Sequence, residues 1–456
     1  MSYNGFIVKV KDVRPHPNAD RLQIATFFGN DVCIGIDIPI GELGIYFPSD
    51  GQLSEEYCEY NNLVRKKDDA GNNIGGYMDP NKRNVKAICL RGERSDGIYM
   101  AISSLEFTGA KLDEFKEGDT ITIVNGHEIC KKYIPKRPNR GSAPQGNRVR
   151  KKKVPIAPLF MEHADTEQLA YNLSAFRPGD QIEITLKMHG TSQRTGYLPK
   201  IVGYKRTLID RIMHREGTPI YDWGYVSGTR RVVLDDYDGG FYGDNSFREE
   251  HSKMFEGKLQ KGETVYYEVV GFQSSGQPIM GTCSNKKLND KEFIKQYGEE
   301  TVFSYGCAPD GKPTSKCQED EHPQSDMYVY RMTMTNEDGF VTEYTPEYMR
   351  YRCEQINVKT VPVFSKFFIP NEKELDLSEQ TAGEYVQKIA QTFLNTNPDP
   401  IGKTHIKEGV VIRIINRPKF CAYKDKVFEF KVLEGIIKET AEVPDIEEAQ
   451  ELLDKN

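Results

Sequence analysis

An alternating segment, Gln181-Ile182-Glu183-Ile184-Thr185-Leu186, runs straight into Lys187-Met188-His189-Gly190. Period-2 alternation is the pattern of a half-buried strand, so Lys187 should stand at a strand's end. The small polar run that follows, Thr191-Ser192-Gln193-Arg194-Thr195-Gly196, reads as a turn. A lysine at the end of a buried strand, beside a glycine turn, can be held against a bound phosphate. Burial and neighbouring cations can also remove part of its charge and make it a nucleophile. Four residues recur by chance, so the weight falls on what surrounds them.

The surroundings are rich in strands. Residues 1–126 carry short alternating segments with frequent turn signals: Phe6–Val10, Leu22–Phe27, Val85–Leu90 and Asp119–Val124. That density without a long helix predicts a small β-barrel. His16-Pro17-Asn18-Ala19-Asp20-Arg21-Leu22 resembles the opening of OB-fold modules of the tRNA-binding type. Residues 127–157 form a basic linker, broken by Pro135, Pro138, Pro144 and Pro155 with Gly141 and Gly146. A second, strand-rich domain is expected over 158–435, with strands at 265–270, 327–332 and 410–414. A helix is expected over 382–395, opened by a Thr381/Glu384 capping box and presenting Tyr385, Ile389 and Phe393 on one face. Residues 436–456 read as an acidic helical tail over 446–453.

Charge is unevenly distributed. The chain of 456 residues has a net charge of −7, yet residues 131–153 hold ten Lys or Arg and no acid. A basic segment on an acidic protein predicts a local polyanion contact, against the plainer reading of a solvated spacer. No apolar stretch reaches the length of a membrane span, and the N-terminus has no leader-like run, so a cytoplasmic protein is expected. Nine scattered cysteines without a C-x-x-C pair fit reduced thiols in that compartment. A zinc site from Cys283, Cys307, Cys317 and His322 is disfavoured by its spacing.

After Lys187 come, in order, Ser227-Gly228-Thr229-Arg230-Arg231, Tyr267-Glu268-Val269-Val270-Gly271, Tyr328-Val329-Tyr330-Arg331, Lys407-Glu408-Gly409-Val410-Val411-Ile412 and Phe428-Glu429-Phe430-Lys431. This order resembles the collinear motifs of covalent nucleotidyltransferases, the ligases and capping enzymes. His189 in place of the commoner aspartate, with the OB-like module ahead of the motifs, is similar to the Deinococcus-type RNA ligase family. Arg91-Gly92-Glu93-Arg94-Ser95-Asp96-Gly97 agrees with that family's first domain. The resemblance implies an α+β protein: an N-terminal OB-fold-like β-barrel, then a nucleotidyltransferase (adenylyltransferase) domain of antiparallel sheets with flanking helices. Extra segments relative to the family are expected at 198–225, 308–326 and 371–400.

The resemblance also implies chemistry. ATP and Mg2+ (or Mn2+) are the expected cofactors, RNA ends or a nicked duplex the substrate, and a monomer working in RNA repair the expected form. Lys187 would be the nucleophile that takes AMP, with His189 and Gly190 shaping its loop, unless His189 is an ordinary turn histidine. Arg194 would contact a phosphate or the 3′-hydroxyl strand, and Arg230 or Arg231 the ribose or 5′-phosphate. Glu268 would bind the ribose or a metal-bound water, and Glu408 the metal. Tyr330 would stack on adenine, although Tyr328 shares its face. The last motif, which the resemblance implies is a lysine-bearing strand, departs from the family's two lysines separated by one residue: only Lys431 remains, and Lys424 or Lys426 could supply the missing charge. Two other readings stay open. One is a DNA ligase or capping guanylyltransferase, although DNA ligases usually carry the OB module after the catalytic domain. The other is a non-catalytic RNA-binding protein.

Overall fold

The computed structural model describes residues 3–66, 75–134, 156–213, 215, 217–234, 246–312, 322–371, 374 and 380–440. The basic segment beyond residue 134, Cys317 and the tail expected over 446–453 lie outside the described residues. The described chain forms two compact units. One draws on residues 3–134, 283–300 and 427–440, the other on 156–282 and 301–426. The boundary expected at 435 therefore falls inside a helix, Phe428–Thr440, of the first unit. No described helix is long and apolar enough to cross a membrane.

Among the described residues of the first unit the strands form open sheets, and no closed barrel is found. A four-stranded sheet runs in the order Thr120–Ile121, Gly5–Lys9, Leu43–Phe47, Ile98–Ala101. A three-stranded sheet, Val13–Pro15, Leu22–Phe27 and Asn30–Gly35, and short hairpins accompany it. Ile7, Ile45, Phe47, Leu53 and Leu105 fill the core with no exposed surface. The two motifs that suggested an OB module meet. Arg91 and Gly92, both at positive φ, make the tight turn between Ala87–Leu90 and Glu93–Asp96. The Asn18 side chain donates to the Arg91 carbonyl at 2.9 Å, and the Asn18 backbone N–H donates to His16 Nδ1 at 3.1 Å. His16 Nε2 then carries the proton given to the Leu90 carbonyl at 3.0 Å, so this histidine is a turn fastener.

Phe428-Glu429-Phe430-Lys431, expected as a strand, opens the helix Phe428–Thr440. The reason is spacing: Val427, Phe430 and Leu433 are wholly buried three residues apart, the repeat of a helix rather than a strand. Glu429 pairs with Arg94, and the Lys431 ammonium reaches Asp96 at 2.6 Å and Asn30 Oδ1 at 3.2 Å, all within this unit.

The second unit is built on two sheets. The five-stranded sheet runs Glu167–Gln168, Ala422–Lys426, Gly409–Ile414, Gln181–Lys187, Val363–Phe368. The six-stranded sheet runs Val233–Leu234, Thr218–Gly228, Thr191–Lys205, Glu263–Gly271, Ser325–Thr335, Val341–Glu343. Met188-His189-Gly190 is the crossing from one sheet to the other. The run Thr191–Gly196, expected as a turn, is instead the start of a 15-residue strand. Its polar side chains are buried against the neighbouring strand, where ladder pairing and packing outweigh weak β-propensity. Val265, Tyr267, Val269, Met327 and Val329 line one face of this sheet as its core.

The expected helix forms as Ala382–Gln391, with both capping-box bonds present. Val386 and Ala390 are wholly buried, with Tyr385, Ile389 and Phe393 packed around Ile182, Ile184 and Ile412 of the five-stranded sheet. Thr381→Ala should lower stability by about 1 kcal/mol in urea unfolding, because it orphans a helix N–H. Glu384→Ala added to it should cost little more, since both residues serve one cap.

Candidate active site

The register sets Lys187 opposite Gly409, and Gly409 opposite Lys426, across three neighbouring strands. Glu408 immediately precedes Gly409 and turns its carboxylate between the two lysines. Its Oε1 accepts from Lys187 Nζ at 2.9 Å and from Lys426 Nζ at 3.1 Å, and Oε2 lies 3.6 Å from His189 Nδ1. Glu408 is 3% exposed. Burial alone would raise its pKa; the Lys187 and Lys426 ammoniums and His189 outweigh that and hold the carboxyl well below its ordinary range.

Two glycines let this cluster assemble. A Cβ on Gly409 would run into the Asp425 carbonyl oxygen, and one on Gly190 into the Val269 carbonyl oxygen. The first lets the Lys187, Glu408 and Lys426 strands lie side by side; the second lets the crossing segment press on the six-stranded sheet. His189 is buttressed from beneath. Its backbone N–H donates to the Tyr305 hydroxyl at 2.6 Å, and its ring meets the Phe303 edge at 4.7 Å. The Tyr305 N–H donates to His405 Nε2 at 3.3 Å, while His405 Nδ1 faces the Ile406 carbonyl at 2.8 Å. That pairing requires the Nδ1–H tautomer of a neutral ring. Burial pulls the His405 pKa down, in keeping with it.

On the six-stranded sheet, Ser192, Arg194, Tyr266 and Glu268 share the face opposite the core. A bulge between Tyr266 and Tyr267 shifts the register so that Tyr330 has no partner in the Glu263–Gly271 ladder. Val329 and Met332 stay in the core, and both residues between them, Tyr330 and Arg331, turn to the other face. The Tyr330 hydroxyl sits 3.0 Å from Ser192 Oγ and its ring 5.1 Å from His163. Tyr328 is more deeply set, giving its hydroxyl to Asp326 at 3.1 Å with the Lys359 ammonium 5.7 Å from its ring centre. Arg194 is 1% exposed and rides over the Phe160 ring at 4.3 Å; its Nε and Nη1 have no hydrogen-bond partner among the described residues. A buried, unsatisfied guanidinium fits an anionic group of a ligand. Arg230 and Arg231 both pair with Asp165, at 3.0 and 2.6 Å, a carboxylate that no motif in the sequence marks.

The structure thus gathers Lys187, His189, Gly190 and Glu408 at one point, with the Lys426 ammonium on the same Glu408 oxygen. Lys431 is not the strand lysine expected, because its helix buries the ammonium on Asp96 in the N-terminal unit. Lys424-Asp425-Lys426 has the two-residue spacing of the family's lysine pair, and Lys426 pairs with Glu408 because its strand lies beside Gly409–Ile414. His163, Tyr305 and His405 carried no signal beyond their type, since their placement depends on contacts far along the chain. No cluster of three or more His, Cys, Asp or Glu able to hold a metal exists among the described residues, and Cys317 of the zinc candidate lies outside them. A metal held between a carboxylate and substrate phosphates needs fewer protein ligands.

No protein-family model matches the chain, and no curated protein matches it. Solved structures do. A variant of Naegleria gruberi RNA ligase with ATP and Mn matches at a TM-score of 0.53 and 15% identity, over 94% of this chain and 98% of that one. A second variant, with AMP and Mn, matches at 0.53 and 14%, over 94% and 97%. The same enzyme with PPi matches at 0.50 and 15%, over 92% and 96%. At this identity the similarity is one of fold.

Because the folded Glu408 pKa is depressed, the stability it contributes is complete above the unfolded pKa of about 4.3 and disappears as pH falls toward the folded value. Glu408→Gln should therefore destabilise the protein by a constant amount from pH 8 to 5, and the gap to wild type in urea midpoint should narrow below about pH 4. A gap that already closes between pH 7 and 5 contradicts this assignment.

Proposed function

We propose that this protein is an ATP-dependent RNA ligase, similar to the Deinococcus-type family, that joins a 3′-hydroxyl to a 5′-phosphate. The observation that carries the reading is one buried carboxylate, Glu408, bridging Lys187 and Lys426 at the crossing between two sheets. The fold shared with an RNA ligase whose structures hold ATP, AMP, Mn and PPi supports it. So do Glu268, Tyr330 and the unsatisfied Arg194 on the adjacent sheet face.

In this account Lys187 gives up a proton to solvent and its Nζ attacks the α-phosphorus of ATP. The bond to the β-phosphate oxygen breaks, pyrophosphate leaves, and a lysyl-AMP phosphoramide remains. The AMP then passes to an RNA 5′-phosphate, freeing Lys187. The RNA 3′-hydroxyl attacks that activated phosphate and AMP leaves. Lys426 and Arg194 offset negative charge on the phosphates, and Tyr330 supplies the ring face for adenine. Glu408 and Glu268 are the carboxylates for Mg2+ or Mn2+, which when bound would supply charge neutralisation at the phosphates. Arg230 and Arg231, oriented by Asp165, are candidates for the ribose or the 5′-phosphate. RNA repair in the cytoplasm by a monomer remains the expected setting.

The test is transfer of label from ATP or GTP to protein in the presence of a divalent metal. Label from ATP, acid-stable and lost in Lys187→Ala, is expected; label from GTP instead favours a capping enzyme, and none from either favours a non-catalytic RNA-binding protein. Lys426→Ala should lower adenylation at least tenfold, whereas Lys431→Ala should retain it per folded molecule. Tyr330→Ala should weaken ATP binding by roughly 1–3 kcal/mol, the range for base–aromatic stacking. An effect of Tyr328→Ala alone would assign the stacking role to that residue instead.

A further inference from the structure

The strands Thr191–Lys205 and Thr218–Gly228 run on beyond their sheet. The Glu263–Gly271 ladder covers only residues 191–196 of the first, and Val233–Leu234 covers only 227–228 of the second. From residues 197 to 205 and 218 to 225 the ladder among the described residues pairs these two strands alone, joined by single backbone bonds from the Gly262 N–H to the Tyr197 carbonyl and from the Ile201 N–H to the Ile156 carbonyl, each at 2.8 Å, and a short helix, Leu208–Ile212, tips the pair. Directly opposed residues share a face. Tyr197 opposes Tyr225, Pro199 opposes Trp223, Ile201 opposes Tyr221 and, past a bulge at Val202, Tyr204 opposes Pro219. One face therefore carries Tyr197, Tyr225, Trp223, Tyr221 and Tyr204 in sequence outward.

The inner end of that row is anchored and the outer end is open. Tyr197 and Tyr225 stack at 4.8 Å against the core. Trp223 follows, 5.9 Å from Tyr197, with the Lys261 ammonium 5.1 Å from its ring centre. Tyr221 and Tyr204 are 43% and 37% exposed. The outer end is basic: Lys205, Arg206, Arg211 and Arg215 are exposed, while the Asp210 carboxylate is engaged in the capping box with Thr207. Same-face residues along a strand repeat about every 7 Å, so the rings form a spaced row rather than one patch.

Spaced rings with cations alongside suit bases that stack and phosphates that need neutralising. We propose that this face of the ribbon is a stacking platform for single-stranded RNA. The proposal rests on the RNA reading above and names the form of substrate that the protein grips. Exposed Leu208, Ile209 and Ile212 at the tip would also suit a lipid surface, and the test separates the two.

Trp223 is the sole tryptophan of the chain, so its emission reports on this face alone. Metal-free full-length protein titrated with a single-stranded oligouridylate of about 12 nucleotides should show saturable quenching without a blue shift. Tyr221→Ala and Tyr204→Ala should each weaken binding about tenfold, within the range for loss of one stacked base. Both variants should form lysyl-AMP from labelled ATP as the parent does. RNA bound, by filter retention, with Trp223 emission and both variants' affinities unchanged overturns the platform, as does no RNA binding at all. A blue shift on anionic phosphatidylserine vesicles without quenching by RNA overturns it in favour of a lipid surface. Quenching by RNA in a protein that never forms lysyl-AMP leaves the platform standing and removes the ligase reading instead.

Discussion

One buried carboxylate organises the larger unit. Glu408 is 3% exposed and accepts two ammoniums on a single oxygen. Neither lysine could be buried there alone, because an uncompensated charge in the interior costs several kcal/mol. The two lysines end strands on either side of Gly409–Ile414, and Glu408 immediately precedes that strand, so the pairing also fixes the register of all three. A one-residue slip would turn Lys187 or Glu408 to the opposite face and leave the other charges unmatched. The chain then leaves Lys187 for the second sheet within three residues, and His189 comes with it to 3.6 Å from the same carboxylate.

The second sheet is set against this point by irregularity rather than regularity. The bulge that turns Tyr330 and Arg331 to one face puts a ring and a guanidinium side by side where strict alternation would separate them. Arg331 is bound bidentately by Glu343 and lies between the Tyr266 and Phe420 rings, so it is held as structure. Arg194, on the same face, has no such partner for its Nε and Nη1. Two arginines close in space thus differ in role, and their hydrogen bonds distinguish them.

Much of this was legible in the sequence, for identifiable reasons. Gln181–Leu186 alternates cleanly, so the strand and the position of Lys187 at its end could be read, and Lys407-Glu408-Gly409 could be matched by motif. The helix Ala382–Gln391 was signalled by its capping box. What failed depended on long-range contacts. Thr191–Gly196 looks like a turn because its residues are small and polar; only the neighbouring strands make it a buried ladder. Phe428–Lys431 alternates over four residues, too short a window to expose the three-residue spacing of Val427, Phe430 and Leu433. The barrel expected of the first unit came from strand density, which says nothing of whether a sheet closes, and the described residues show open sheets only.

The most direct test of the account is to locate the covalent bond. The full-length protein is incubated with ATP and Mg2+, digested under conditions that preserve phosphoramides, and the peptides are mapped by mass spectrometry. An AMP adduct on the Lys187 peptide, and on no other lysine, is the predicted result. An adduct confined to Lys426, Lys424 or Lys431, or an unmodified Lys187 peptide after pyrophosphate has been released, would contradict it.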